Sequence, residues 1–177
     1  VVRTSALEDN LFAGVIAIAA RLPLLCLGCD GTSKTLSLNL LLSQMQGKPS
    51  GSHLLQGLAR VQTFHLQLSE RSVAKNVTDL KKTVVRWKSD KMASMIPCIF
   101  MEEMSMAEAG PTGPLRALHD LLDAHQDSHP QGQDDVQGGR RIGTGTNTFA
   151  FVATSNYKAG SNDLPIGRAL GNRFLVL

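Results

Sequence analysis

The sequence predicts an α/β fold, with helices on both faces of a mostly parallel five-stranded sheet, on three observations. Two apolar runs of strand length, Leu24 to Leu27 and Ile96 to Met101, lack polar alternation, as strands covered on both faces require. Segments with a 3.6-residue apolar repeat separate the strand-like runs, so helices cross from strand to strand in right-handed connections. Between the first run and a leucine-rich segment lies a glycine turn, Gly28-Cys29-Asp30-Gly31-Thr32-Ser33-Lys34-Thr35.

In chain order, residues Ala6 to Leu22 read as a helix on Leu7, Leu11, Val15, Ile18 and Leu22, stopped by Pro23. The strand Leu24 to Leu27 follows, then the glycine turn, then a helix through Leu36 to Met45 ending at Gly47, with Pro49 beyond. Lys48 to His53 reads as a linker, and Leu54 to Arg60 as a short turn or helix. Val61 to Leu68 alternates, with Gln62, Phe64, Leu66 and Leu68 on one face and Val61, Thr63, His65 and Gln67 on the other, which marks an edge strand. His65 reads there as a surface residue rather than a ligand.

Val73, Val77, Leu80, Val84 and Trp87 predict an amphipathic helix, with Trp87 in the core. Its outer face carries Lys75, Lys81, Lys82, Arg86 and Lys88; without interleaved aromatics to stack on bases, it reads as a solvated face. After the strand Ile96 to Met101, Pro114 opens a helix, Leu115 to Leu122, capped near Thr112 or Gly113. The polar stretch from Ala124 to Asn147 reads as an exposed loop. Thr148 to Thr154 is a further strand, Leu164 to Leu170 a short helix, and Phe174 to Leu177 the last strand.

The 177 residues suit one domain with its own core, which must be aliphatic because only 5% are aromatic against 42% hydrophobic. A net charge of +3 argues for no polyanionic partner, so no nucleic acid is expected. The apolar region from Leu11 to Leu27 is broken by Arg21 and Pro23, so no membrane span is expected either. Three cysteines, Cys26, Cys29 and Cys98, form no disulfide framework and suit a reducing, cytoplasmic compartment. Cys26 and Cys29 have redox-pair spacing, but a disulfide there would distort both strand and loop. In that compartment Asn76-Val77-Thr78 is discounted as a glycosylation acceptor. The sequence starts without methionine and stops on an apolar run, so a piece of something longer is expected.

A buried strand, a tight glycine turn and then a helix whose free N–H groups point at an anion are the context of a phosphate-binding P-loop. Gly28, Asp30, Gly31, Thr32, Ser33, Lys34, Thr35 and Leu36 are therefore the nucleotide-binding candidates, with Lys34 on the phosphates and the Thr35 hydroxyl on Mg²⁺. A glycine ordinarily precedes this lysine, and here Ser33 takes its place. A chance glycine turn is the alternative. The fold class then narrows to the three-layer α/β/α P-loop NTPase architecture. Ligands in open α/β sheets bind at the carboxyl ends of strands, so the remaining parts should follow other strands. Glu102 and Glu103, ending the run Cys98 to Met101, look like a Walker B pair: Glu102 for the hydrated Mg²⁺, Glu103 to polarise a water. An acidic strand end solvated by chance is the alternative. Asn156 ends the next strand, where its amide would sit between Glu103 and the γ-phosphate. His119, Asp120, Asp123, His125 and His129 form only a loose group for a metal.

These residues together resemble a AAA+ large subdomain over nearly the whole chain, most closely the AAA+ core of mysterin-type giant RING-finger ubiquitin ligases. The resemblance rests on Arg21-Leu22-Pro23 and its preceding helix, and on Gly31 to Leu38. It extends over Glu102-Glu103-Met104-Ser105-Met106-Ala107-Glu108, Pro114 to His119, and Val152 to Tyr157. It implies ATP and Mg²⁺ as ligands, a sensor role for Asn156, and an arginine-finger role for Arg173, with Arg168 as the other candidate. It also implies neighbouring AAA+ modules as partners, an ATPase activity, and ubiquitin machinery carried by other domains. The lid subdomain is expected to lie outside residues 1–177. A degenerate module that binds ATP without turnover remains the second reading, motivated by Ser33 and Glu102. A small-molecule P-loop kinase is a third, and it has no use for Asn156 and Arg173.

Overall fold

The computed structural model describes residues 4–90, 95–107, 110, 113–126, 149–157 and 165–177. The expectations for Thr112, for residues 127–148 and for Leu164 lie outside the described residues, as do Glu108 and His129.

Helix α1 (Ser5–Ala20) is capped by Thr4, whose side-chain oxygen accepts from the Leu7 N–H at 3.3 Å. It ends in a left-handed Arg21, with the Leu22 N–H reaching back to the Ala17 carbonyl at 2.8 Å. Strand β1 (Leu24–Gly28) leads through the glycine turn into helix α2 (Lys34–Gln44). A one-turn helix α3 (His53–Gln56) precedes strand β2 (Arg60–Gln67), and helix α4 (Ala74–Asp90) precedes strand β3 (Met95–Glu102). A 3-10 turn at Met104–Met106 comes before helix α5 (Pro114–Gln126). Strand β4 (Ala150–Asn156), the short helix α6 (Arg168–Gly171) and strand β5 (Leu175–Val176) complete the described elements.

All five strands are parallel, in the order β2-β3-β4-β1-β5, with β2 at an edge as its alternation predicts. The apolar runs of β1 and β3 are buried on both faces. Leu24, Cys26, Ile96, Cys98 and Phe100 face α1 and α2, against Ala17, Ile18, Leu38, Leu41 and Met45. Leu25, Ile99 and Met101 face the other way, toward Val77 and Val84 of α4 and Leu118, Leu121 and Leu122 of α5. Phe151 is fully buried in this second layer and packs on Phe174 with ring centroids 5.6 Å apart. Truncating it leaves a void that aliphatic neighbours cannot close. Phe151→Ala should therefore lower unfolding free energy by about 3–5 kcal/mol, read as a shift in urea midpoint at unchanged slope.

Local differences from the sequence reading follow from packing and hydrogen bonding. The buried stripe of α1 is Leu7, Asn10, Gly14, Ala17 and Ile18, while Leu22 is exposed. Small residues face α2 because the helices approach closely: a Cβ on Gly14 would stand 2.6 Å from Leu41 Cδ2. Helix α2 stops at Gln44 rather than Gly47, because the Met45 carbonyl leaves the helix to accept from the Val61 N–H at 2.9 Å, with the Met45 side chain fully buried. Helix α5 runs past Leu122 to Gln126, into the stretch read as loop, which has neither glycine nor proline to stop it there. Val73 precedes α4 and is exposed, its N–H donated to Asn76 Oδ1 at 2.8 Å. Trp87 is half-buried and meets Phe64 edge-on, with centroids 5.7 Å apart.

Candidate functional site

At the carboxyl rim of the sheet, register pairs Gly28 with Asn156, so the end of β4 lies beside the start of the glycine turn. Within the turn Gly31 has φ +80° and Ser33 φ 61°, both left-handed. A serine in that conformation is strained by on the order of 1–2 kcal/mol, which is why glycine is the ordinary occupant. Left-handed residues flanking Thr32 shape a concave loop of the kind whose N–H groups gather around anions. A Cβ on Gly28 would stand 3.0 Å from Thr32 Oγ1, so a side chain there would have to displace the hydroxyl that donates to the Cys29 carbonyl.

Ser33 supplies no side-chain cap to α2, and the first recorded backbone bond of the helix runs from the Ser37 N–H to the Ser33 carbonyl at 2.8 Å. The N–H groups of Lys34, Thr35 and Leu36 thus have no i−4 partner within the helix, and they add to the positive end of its dipole. Lys34 is 8% exposed. Its Nζ donates to the Gly28 carbonyl at 3.0 Å, the Cys29 carbonyl at 2.6 Å and Thr32 Oγ1 at 3.2 Å.

A cleft of about 220 Å³ opens over this loop. Residues 30–36 line it, together with Glu103, Thr154 and Asn156. Glu103 follows β3 in a left-handed conformation, φ 58°, and its Oε2 accepts from Asn156 Nδ2 at 3.3 Å. The Asn156 N–H in turn donates to Ser105 Oγ at 3.4 Å. Ser105 therefore ties the end of β4 to the turn after β3, a role that spacing alone does not reveal. Lys34, Thr35, Glu103 and Asn156 come together in one cleft from three separate segments.

Two candidates lie apart from it. Glu102 is almost completely buried, and its Oε2 meets His65 Nε2 of β2 at 3.1 Å, while no partner among the described residues reaches its Oε1. His65 is exposed on the edge strand, as read from its position there, while one side of its ring stacks on Phe100 with centroids 5.1 Å apart. Arg173 forks onto Asp123 of α5, Nε to Oδ1 at 2.5 Å and Nη2 to Oδ2 at 3.0 Å, and Nη1 donates to the Ala169 carbonyl. The guanidinium holds the Asp123 carboxyl below its ordinary range. Desolvation and then the Arg173 charge push the His119 imidazole down. Arg168 is exposed. Among the described residues, no group of three His, Cys, Asp or Glu side chains could hold a metal ion.

The residues present fit a magnesium nucleotide. Glu102 Oε1, buried and without a partner among the described residues, carries a desolvation cost of about 1–3 kcal/mol or more, which a hydrated cation would relieve only if the carboxylate turned toward the cleft that it does not line. The unpaired N–H groups of the first turn of α2 and the Lys34 ammonium suit phosphate oxygens.

All three cysteines are free, Cys29 exposed and Cys26 and Cys98 buried. A thiol reagent at neutral pH should label Cys29 rapidly, and the other two only on unfolding. Burial pushes the Cys26 thiol up to about 11, with the Lys34 charge opposing part of the rise, and burial raises Cys98 as well. Unfolding releases these thiols to ionise near 9.0, so stability should be unaffected below that pH and fall as pH rises toward about 11. Urea midpoints across that range check the sign.

No helix among the described residues is long and apolar enough to cross a membrane. The family model described as the RNF213 AAA domain matches residues 1–172. Among curated proteins, the chain is 31% identical over 124 residues to mouse E3 ubiquitin-protein ligase RNF213. It is 28% identical to the human protein of that name and 29% identical to zebrafish E3 ubiquitin-protein ligase rnf213-beta over the same length. Each alignment covers 70% of this chain and 2% of the relative, so the chain spans a small part of the proteins it matches. With the parallel sheet and glycine loop described above, the match over residues 1–172 means that the chain belongs to the RNF213 AAA domain family.

Proposed function

We propose that the chain is a nucleotide-binding AAA+ module that takes up ATP with Mg²⁺ and hydrolyses it within a larger ring-forming protein. The observation that carries this reading is the cleft in which Lys34, Glu103 and Asn156 meet. Lys34 exchanges its bonds to the Gly28 and Cys29 carbonyls for phosphate oxygens, and residues 31–36 donate their N–H groups. Thr35 and Glu102 would hold the hydrated metal, which would supply positive charge to offset that of the phosphates. Glu103 accepts a proton from, or orients, a water, and the Asn156 amide restrains Glu103 through their 3.3 Å contact.

Arg173 is the residue proposed to serve a neighbouring module, which requires it to leave the Asp123 fork. Residues 1–177 would make up a large subdomain whose lid lies elsewhere, in a protein with ligase domains and a cytoplasmic setting. A second reading, ATP binding without turnover, is favoured by one feature: Glu102 is engaged by His65 and does not line the cleft. Hydrolysis by the intact protein, with and without Glu103→Gln, separates the two. Equal rates leave only the binding role.

A further inference from the structure

The edge strand supplies the acidic pair with a partner that no part of the proposed reaction yet uses. Parallel register sets His65 opposite Phe100, two residues before Glu102 and therefore on the same face of the sheet. The imidazole is fixed on one side by stacking on Phe100, at 5.1 Å and 27°, and on the other by the 3.1 Å contact to Glu102 Oε2. Glu102 Oε1 is buried and has no hydrogen-bond partner among the described residues. A glutamate has one more rotatable bond than an aspartate, so its carboxylate needs an external restraint to present one oxygen reproducibly.

We propose that His65 is a positioning residue for Glu102: with Nε2 protonated, it donates to Oε2 and leaves Oε1 as the acceptor for the water shell of a divalent cation. The inference rests on the proposed binding of a magnesium nucleotide at this rim. It assigns the edge strand a place in metal affinity, and explains how a glutamate can stand at a position where aspartate is usual. Because the His65 side chain is 49% exposed, replacing it opens little of the core.

The test uses the intact protein and a fluorescent ATP analogue. A Lys34→Ala version, silent at this site alone, is subtracted as reference. Binding is measured across a Mg²⁺ series and again in EDTA. His65→Ala should raise the Mg²⁺ concentration for half-maximal binding by roughly tenfold, while affinity in EDTA stays within about twofold, as loss of an outer-shell partner predicts. His65→Gln, which keeps an amide donor at similar reach, should restore the wild-type midpoint. In a Glu102→Ala background the His65→Ala effect should disappear, because the two act through one carboxylate. An unchanged Mg²⁺ midpoint in His65→Ala overturns the proposal, and so does an equal loss in EDTA, which marks a purely structural role. A wild type indistinguishable from Lys34→Ala in both conditions overturns the nucleotide reading itself, and this inference with it.

Discussion

Lys34→Ala is expected to remove nucleotide binding at this site, with affinity falling by on the order of a hundredfold or more. The ammonium makes three hydrogen bonds within the loop, and each bond from a charged donor contributes about 1.5–3 kcal/mol when its acceptor is a phosphate oxygen. Losing even one such contact corresponds to roughly tenfold or more in dissociation constant. The loop itself should survive, because Thr32 Oγ1 still donates to the Cys29 carbonyl at 2.8 Å and Ser37 Oγ still donates to the Ser33 and Lys34 carbonyls. Titrating a fluorescent ATP analogue checks the affinity, and thermal melting without nucleotide checks the fold. Unchanged affinity would remove the glycine turn from the site, whatever its shape.

The layered fold was legible because its signals are local. Uninterrupted apolarity in Leu24 to Leu27 and Ile96 to Met101 demands cover on both faces, and the two buried clusters on either side of the sheet supply it. The approach of Gly28, Glu103 and Asn156 was also foreseeable, since a parallel sheet brings its carboxyl strand ends to one rim. Packing that depends on small size was not. Gly14 and Asn10 carry no hydrophobic signal, yet both are buried, and Gly14 lies against α2 leucines that leave no room for a side chain.

Side-chain pairings across the sheet were equally hidden. His65 meets Glu102 only because β2 lies beside β3, an adjacency that sequence spacing does not encode. Arg173 meets Asp123 across 50 residues, and only the packing of α5 near the last strand brings the fork together. Both pairs involve polar groups whose alternative is water, so no burial pattern in the sequence demands either partner.

Glu103→Gln is the substitution with the largest expected effect on turnover, a fall of roughly 10²–10⁴-fold in the hydrolysis this site contributes. The change removes the basic oxygen pair but keeps the length of the side chain, and the remaining amide oxygen can still accept from Asn156 Nδ2, now at 3.3 Å from Glu103. The backbone should be undisturbed, since Glu103 owes its left-handed φ to the turn that follows, where the Met106 N–H donates to its carbonyl at 2.9 Å. Nucleotide affinity should therefore hold or tighten while turnover stops, so that nucleotide is retained after rapid gel filtration of the variant. Turnover lost together with affinity would point to a collapsed cleft, and Asn156→Asp would then test whether the Glu103–Asn156 contact is what keeps it open. Turnover unchanged at full affinity would make this a site that binds without hydrolysing. The absence of Glu102 from the cleft lining would then be the structural basis of that silence.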